Sequence, residues 1–338
     1  MPYLRLLGAQ LAIGAAAIFA RYALTGAGPF AVSALRLAIA AIPFVILALL
    51  ARSPVRLGWR RELVFAGAGI ALAAHFATWI GSLLYTSVAV STILVATTPI
   101  WTCAYAAIVE RRPPARAYYL ALGLAALGLV AIVLQRVAPA PVPGQALLGD
   151  ALALAGGMAI GVYLILVQRF GFAPADGRPI PTRDIVARTY SWAALALVPL
   201  MLFAHQGPPA IGDYRAWFGV LGMAIFAQLI GHTALNAALR DFTPSVVAMA
   251  TLLEPVSAAL LAALLFAEAI SPATALGGLA ILTAVAITLR VAELKRVPGA
   301  QHFGDAPGLC DAAARGERGV AVGDFTERSE PAADDAIE

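Results

Sequence analysis

Two prolines in this chain lie where each would break a membrane-spanning helix. Pro99 and Pro255 are 156 positions apart, and long apolar segments surround both of them. Proline has no backbone N–H, and its ring clashes with the carbonyl four residues earlier, so both positions favour a helix break. Paired breaks in two halves of a membrane protein often mark a site for a polar ligand, because broken helix ends expose backbone groups. The pair therefore predicts a duplicated protein with a site near both prolines.

Glu254 adds a carboxylate to the second break, whereas Thr98 holds the matching position beside Pro99. Because Pro255 frees a backbone carbonyl one turn earlier, the carboxylate and this carbonyl offer acceptors for a substrate ammonium or a proton. The alternative is that Glu254 pairs with a cation such as Arg36 and stabilises the helix bundle. Arg36 in turn could attract a substrate carboxylate, or extend to the lipid headgroups.

Two apolar segments carry polar or aromatic side chains at spacings that place them on one helix face. These side chains are His75, Trp79 and Ser82 in one segment, and Gln228, His232 and Asn236 in the other. The two histidines precede the paired prolines by 24 and 23 residues, so they hold equivalent positions. Two facing polar stripes would line a cavity, and histidine titrates near physiological pH, which leaves proton coupling open. The alternative is that each histidine bonds a carbonyl of a neighbouring helix and serves packing alone.

Aromatic side chains could add stacking surfaces to such a cavity. Phe19, Trp101 and Tyr163 are the candidates, although aromatic residues in membrane spans also pack against neighbouring helices. Cys103 and Cys310 have no metal-ligand spacing. We find no phosphate-binding glycine loop, nucleophile elbow or metalloprotease motif. The sequence therefore predicts no catalytic residue, no cofactor and no metal, and it argues against ATP-driven transport by this chain alone.

Apolar segments of helix length recur along almost the whole chain. Hydrophobic residues make up 61% of it and charged residues 12%, about half of the ~25% that is usual in soluble domains. A segment of about 20 apolar residues can cross the hydrocarbon core as a helix, which bonds its own backbone groups. Ten such segments occur, at residues 6–24, 30–50, 63–84, 88–109, 117–135, 149–168, 186–204, 216–238, 245–267 and 273–290. The fold class predicted is an all-α polytopic membrane protein with ten transmembrane helices.

The ten segments divide into two sets of five. We place one repeat at residues 1–137, a proline-rich extracytoplasmic linker at 138–148, and the second repeat at 149–296. An odd number of spans inverts the second repeat relative to the first, which is the plan of many carriers. Residues 297–338 hold nine acidic against three basic residues, so we predict a disordered acidic cytoplasmic tail. The architecture predicted is two inverted five-helix repeats around a central cavity.

Basic residues are concentrated on alternate loops and helix ends. One set carries Arg52, Arg56, Arg60, Arg61, Arg111, Arg112, Arg116, Arg169, Arg178, Arg183, Arg188, Arg240, Arg290, Lys295 and Arg296. The opposite set holds little beyond Arg21, Arg136 and Arg215. Because cytoplasmic loops are enriched in basic residues, we predict that both termini are cytoplasmic. The same bias explains the net charge of +4 without nucleic acid as a partner.

Several of these stretches resemble the EamA family of the drug/metabolite transporter superfamily. The resemblance is carried by Arg36, the run Gly149 to Ala153, Tyr163 ahead of Gln168 and Arg169, the run Leu253 to Pro255, Glu268, and the run Gly277 to Ile281. It covers about residues 6–292 and is closer in the second half, since Thr98 replaces the glutamate beside Pro99. It implies ten helices around a central cavity, in a multi-pass protein of the bacterial inner membrane that often exports amino acids or other small metabolites.

We therefore expect a secondary transporter or facilitator rather than an enzyme. Its expected partners are membrane lipid and a small-molecule substrate, with amino acids or related amphipathic compounds first, moved outward; the sequence predicts no oligomeric state. An exchanger of phosphorylated metabolites is the first alternative, but it would need several cations in the cavity. A membrane enzyme would need paired acids or a metal cluster at one interface, and a sensor would need a folded output domain.

Overall fold

A computed structural model of the chain shows its fold. The structure describes residues 2–51, 57–134, 144–172, 180–266 and 270–294. The predicted tail, most of the predicted linker, and Glu268 lie outside these ranges. Within them every regular element is helical and no strand occurs.

The helices are α1 (Pro2–Gly14), α2 (Ala16–Ala23), α3 (Pro29–Leu49), α4 (Trp59–Ser82), α5 (Val88–Val95), α6 (Thr98–Ile108), α7 (Arg116–Val133), α8 (Ala146–Leu166), α9 (Thr182–Phe203), α10 (Tyr214–Gly222), α11 (Thr233–Ala238), α12 (Pro244–Thr251), α13 (Glu254–Phe266) and α14 (Pro272–Leu294). Two π-helices, in which each backbone bond spans one more residue than in an α-helix, are π1 (Val167–Gly171) and π2 (Met223–His232).

In the described residues these helices form ten spans that are long and apolar enough to cross a membrane, as the sequence predicts. Span 1 contains α1 and α2, span 4 contains α5 and α6, and span 9 contains α12 and α13. Span 6 continues from α8 into π1, and span 8 runs through α10, π2 and α11. Spans 2, 3, 5, 7 and 10 are α3, α4, α7, α9 and α14. The predicted all-α polytopic fold is therefore confirmed.

Prolines and a side-chain cap set where several of these helices begin. Pro29, Pro244 and Pro272 are the first residues of α3, α12 and α14. Proline suits this position because its missing N–H has no partner in the helix and its backbone angle is already helical. Ser87 caps α5 by accepting a hydrogen bond from the N–H of Val90 at 3.2 Å. The local sequence thus fixes the entry of the chain into these spans.

Helix packing follows an inverted repeat. Spans 5 and 10, which are equivalent in the two repeats, pack along each other, and so do spans 2 and 7. Span 3 packs against span 6, and the equivalent pair, span 8 and span 1, packs in the same way. Exchanging the repeats therefore preserves these neighbours, as a pseudo-two-fold axis in the membrane plane requires.

The repeat relation extends to single contacts near the helix breaks. A Cβ added to Gly14 would lie 3.3 Å from the carbonyl oxygen of Glu254, and one added to Gly161 would lie 3.9 Å from that of Thr98. Glu254 and Thr98 are 156 positions apart, as the paired prolines are. The first span of each repeat therefore packs closely on the broken span of the other repeat.

Both proline-containing spans are divided at equivalent positions. Residues 96–97 separate α5 from α6, and residues 252–253 separate α12 from α13. Pro99 and Pro255 are each the second residue of the helix that follows, so each break precedes its proline. Thr98 is bonded to the second repeat, because its hydroxyl lies 3.2 Å from the carbonyl oxygen of Gly157 in α8.

Among the described residues, ion pairs join the two repeats at the arginine-rich end of the molecule. They are Arg5 with Asp241 at 3.7 Å, Arg169 with Glu110 at 3.5 Å, and Arg188 with Glu62 at 3.0 Å. At the opposite end Gln206 accepts hydrogen bonds from the backbone N–H groups of Phe30 and Ala31, at 2.8 and 3.2 Å. Polar contacts thus connect the repeats at both ends of the bundle.

Candidate functional site

The two repeats meet around a buried arginine. Arg36 in α3 is 1% exposed, and its Nη2 donates a hydrogen bond to Oε1 of Gln228 at 2.8 Å. Its guanidinium carbon lies 4.2 Å from the centre of the Phe76 ring, a cation–π contact that offsets part of the lost hydration. Its Nε and Nη1 atoms have no hydrogen-bond partner. Arg36 is therefore held between the spans and does not extend to the headgroups.

Gln228 and His232 both belong to π2, in the middle of span 8. Gln228 is fully buried and its Nε2 has no partner, while His232 is 6% exposed and its Nδ1 has no partner. A π-helix arises where an extra residue is accommodated in a turn, and such turns are frequent at functional sites. In this chain the π-helix coincides with two of the polar residues that the sequence indicated.

The equivalent histidines have different surroundings. Nδ1 of His75 lies 2.9 Å from the carbonyl oxygen of Gly156 on span 6, and its ring stacks on Trp79 with centroids 5.9 Å apart. This is the interhelical bond that the packing interpretation predicts. The ring of His232 instead packs edge-on against Phe76, with centroids 5.6 Å apart. Phe76 also contacts His75, with centroids 4.8 Å apart, so one aromatic ring lies between the two histidines.

A chain of hydrogen bonds continues from this point toward spans 6 and 7. The hydroxyl of Tyr163 donates to Oδ1 of Asn236 at 2.7 Å, and Nδ2 of Asn236 donates to the carbonyl of His232 at 2.8 Å. The hydroxyl of Tyr190 lies 3.4 Å from the carbonyl oxygen of Gln228. The carbonyl of Gln228 also accepts the backbone N–H of Thr233, so these side chains add hydrogen bonds to those that π2 makes itself.

Glu254 lies near this cluster without joining an ion pair in it. It is the first residue of α13 and is half-buried. Among the described residues no ion pair within 4.0 Å joins it to Arg36. The structure therefore does not show the Arg36–Glu254 pair that was the alternative role for this carboxylate.

The remaining candidates lie at different distances from the buried arginine. The indole Nε1 of Trp101 donates to Oγ1 of Thr97 at 3.0 Å, so Trp101 is fixed at the break in span 4. Phe19 packs against Phe218 and Phe226 on span 8, with centroids 5.6 and 5.5 Å away, and Phe226 is 48% exposed. The structure thus brings together Arg36, His75, Trp79, Gln228 and His232, links Tyr163 and Asn236 to them, and places Phe19 in a separate aromatic group.

The structure also places residues here that the sequence did not single out. Phe76 and Tyr190 are fully or almost fully buried beside Arg36 and Gln228. Gln10 in α1, a helix that packs against π2, is 1% exposed, and neither its amide oxygen nor its nitrogen has a partner. An amide inside an apolar span is costly, and this was the signal available for Gln10.

Two stretches, residues 1–134 and 147–290, match the model of the EamA-like transporter family. The chain belongs to the EamA-like transporter family. The match covers both repeats, confirms the resemblance noted above, and makes this a multi-pass membrane transporter of the drug/metabolite transporter superfamily. None of the curated proteins is similar enough to this chain to match it. A protein crystal structure shares the fold of this EamA-like chain, with a TM-score of 0.70 and 19% identity over 88% of this chain and 99% of that protein.

Proposed function

We propose that this EamA-like protein is a secondary transporter or facilitator for small metabolites, and that it binds them at the polar layer between its two repeats. The observation that carries the proposal is the set of buried, unpartnered polar atoms contributed by Arg36, Gln228 and His232. Buried polar groups are normally bonded, so unpartnered ones in a transporter indicate a place for a polar ligand. Phe76 supplies apolar surface beside Arg36 and His232, and Trp79 stacks on the neighbouring His75.

Amino acids or related amphipathic compounds are the substrates we propose first. They combine a small charged group with an apolar side chain, which corresponds to the mixture of cation, amides and aromatic rings around Arg36. We propose the bacterial inner membrane as the location and the cytoplasm for both termini, since the arginine-rich end then faces inward. The outward direction of transport is proposed from the family resemblance alone.

The main alternative within transport is an exchanger of phosphorylated metabolites. Phosphate groups need several cations, and among the described residues Arg36 is the only arginine or lysine in the buried interior. The charge of the site therefore favours a singly charged or zwitterionic substrate. Proton coupling through His232 or Glu254 is a further proposal that substrate-driven pH changes in vesicles would reveal.

The proposed function is tested by counterflow in proteoliposomes. Vesicles that contain the purified protein are loaded in turn with each of the twenty amino acids, and uptake of the same radiolabelled compound is measured. We expect at least one apolar or aromatic amino acid to show accumulation that protein-free vesicles lack. If none of the twenty is accumulated, the proposal that amino acids are the substrates is wrong.

A further inference from the structure

The guanidinium of Arg36 carries hydrogen-bonding capacity that the protein leaves unused. Arginine has five N–H donors and no acceptor, and here one donor is bonded, to Oε1 of Gln228. Nε and Nη1 have no partner, although the side chain is 1% exposed. A buried cation with unmade hydrogen bonds is costly in a protein interior. The arrangement is therefore the one expected of a site that an acceptor-bearing ligand completes.

Gln228 extends this donor surface from the other repeat. Because arginine cannot accept a hydrogen bond, the amide oxygen of Gln228 must face Arg36, and this fixes Nε2 as the remaining donor. That Nε2 is buried and has no partner. Three donor nitrogens without partners, two from Arg36 and one from Gln228, therefore lie on side chains that are bonded to each other across the two repeats.

The chemistry of these donors selects the class of ligand. These donors carry one net positive charge, so they favour an anion that has hydrogen-bond acceptors and no donors. An ionised carboxylate is such an anion. A doubly charged phosphate would meet a single cation, because Arg36 is the only buried arginine or lysine among the described residues. A monovalent carboxylate matches that single charge.

We propose that Arg36 and Gln228 form a subsite for the free carboxylate of the transported compound. This inference rests on the proposed function and adds to it a chemical requirement: compounds that lack the carboxylate are poor ligands. The guanidinium carbon lies over the Phe76 ring, 4.2 Å from its centroid, and Nε and Nη1 remain for hydrogen bonds to a ligand. The subsite joins α3 of one repeat to π2 of the other, so a bound carboxylate would contact both repeats.

The test compares acids with their neutralised forms on the purified full-length protein. Thermal unfolding is measured with each of the twenty amino acids, with their C-terminal amides, and with 3-phenylpropionate and 4-methylpentanoate as carboxylates without an ammonium. We expect acids to raise the melting temperature, with apparent affinities at least tenfold above those of the matching amides. Amides that bind as tightly as the matching acids would overturn the carboxylate subsite. The proposed transport of small metabolites would still stand, because a ligand would still bind. If no carboxylate of either kind binds, the subsite is refuted as well.

Variants assign the effect to these two side chains. Arg36→Gln should abolish the preference for acids, and Arg36→Lys should retain part of it because the charge remains. Gln228→Glu places a built-in carboxylate beside Arg36 at almost unchanged shape, so it should raise the melting temperature and remove the response to acids. This last variant stays informative if Arg36→Gln does not fold. A Gln228→Glu protein that still prefers acids by tenfold would overturn the proposal.

Discussion

At the scale of single residues, hydrogen-bond partners separate side chains that hold helices together from those available to a ligand. His75 and His232 are equivalent in sequence, but His75 bonds the carbonyl of Gly156 while Nδ1 of His232 has no partner. The two equivalent histidines therefore have different hydrogen-bond surroundings. The sequence could establish their equivalence, but not the difference, because the partner of each histidine depends on the helix opposite it.

The two histidines should respond differently to substitution. His75→Ala removes the bond to the carbonyl of Gly156, and a typical hydrogen bond contributes about 0.5–1.5 kcal/mol, so the melting temperature should fall. His232→Ala removes no hydrogen bond of its side chain but does remove the ring contact with Phe76, so it should lower the melting temperature less than His75→Ala does and should lower counterflow. Both quantities are measured on the same purified samples. Normal counterflow in His232→Ala, or equal destabilisation by both changes, would contradict this assignment.

At the scale of elements, glycines allow the closest approach between equivalent spans. A Cβ on Gly128 of α7 would lie 2.5 Å from the carbonyl oxygen of Gly277 in α14, and a Cβ on Gly277 would overlap the carbonyl of Gly128. In lipid the hydrophobic effect does not drive helices together, so their association depends on van der Waals packing. Contact between the two backbones maximises that packing. Gly123, on the same helix α7, has open space around it and provides a matched control.

We expect Gly128→Leu to reduce the yield of monodisperse protein severely, because the side chain meets backbone that cannot move aside. Gly123→Leu should behave like the wild type, since it adds the same side chain to the same helix where nothing lies within 4 Å. Size-exclusion profiles and melting temperatures in detergent measure both. An unchanged profile for Gly128→Leu would show that α7 and α14 do not pack as described.

The elements themselves were largely predictable, and their internal irregularities were not. The lengths of the apolar segments predict ten spans, and the helix-breaking residues Pro99 and Pro255 predict that two of these spans are divided. No proline in the sequence indicates the break at Ala15 in span 1 or the ten-residue π2. The convergence of Phe76 and Tyr190 on the arginine depends on how each helix is rotated, which composition does not specify. The site was therefore predictable as a list of polar residues, but not as an arrangement.

At the scale of the whole molecule, we propose that the two ends of the inverted repeat open in turn around one site. The ion pairs that join the repeats at the arginine-rich end are partly exposed, with side-chain exposures of 23–44%. Exposed pairs contribute only about 0–1 kcal/mol each. Contacts this weak would allow the repeats to separate at this end, as the proposed alternating access requires.

We propose that the polar side chains between the repeats, Arg36, Gln228 and His232, are reached from both sides of the membrane. A His232→Cys variant, in a Cys103→Ala, Cys310→Ala background, is placed in vesicles of known orientation. A membrane-impermeant thiol reagent is then added to one side at a time. Gly58→Cys and Gly207→Cys, at glycines with open space around them, are controls for the two ends, each expected to react from a single side. We predict that His232→Cys reacts from both sides and more slowly with a transported compound present. If His232→Cys reacts from neither side while both controls react, the site is not reached from either side of the membrane and the proposal is wrong.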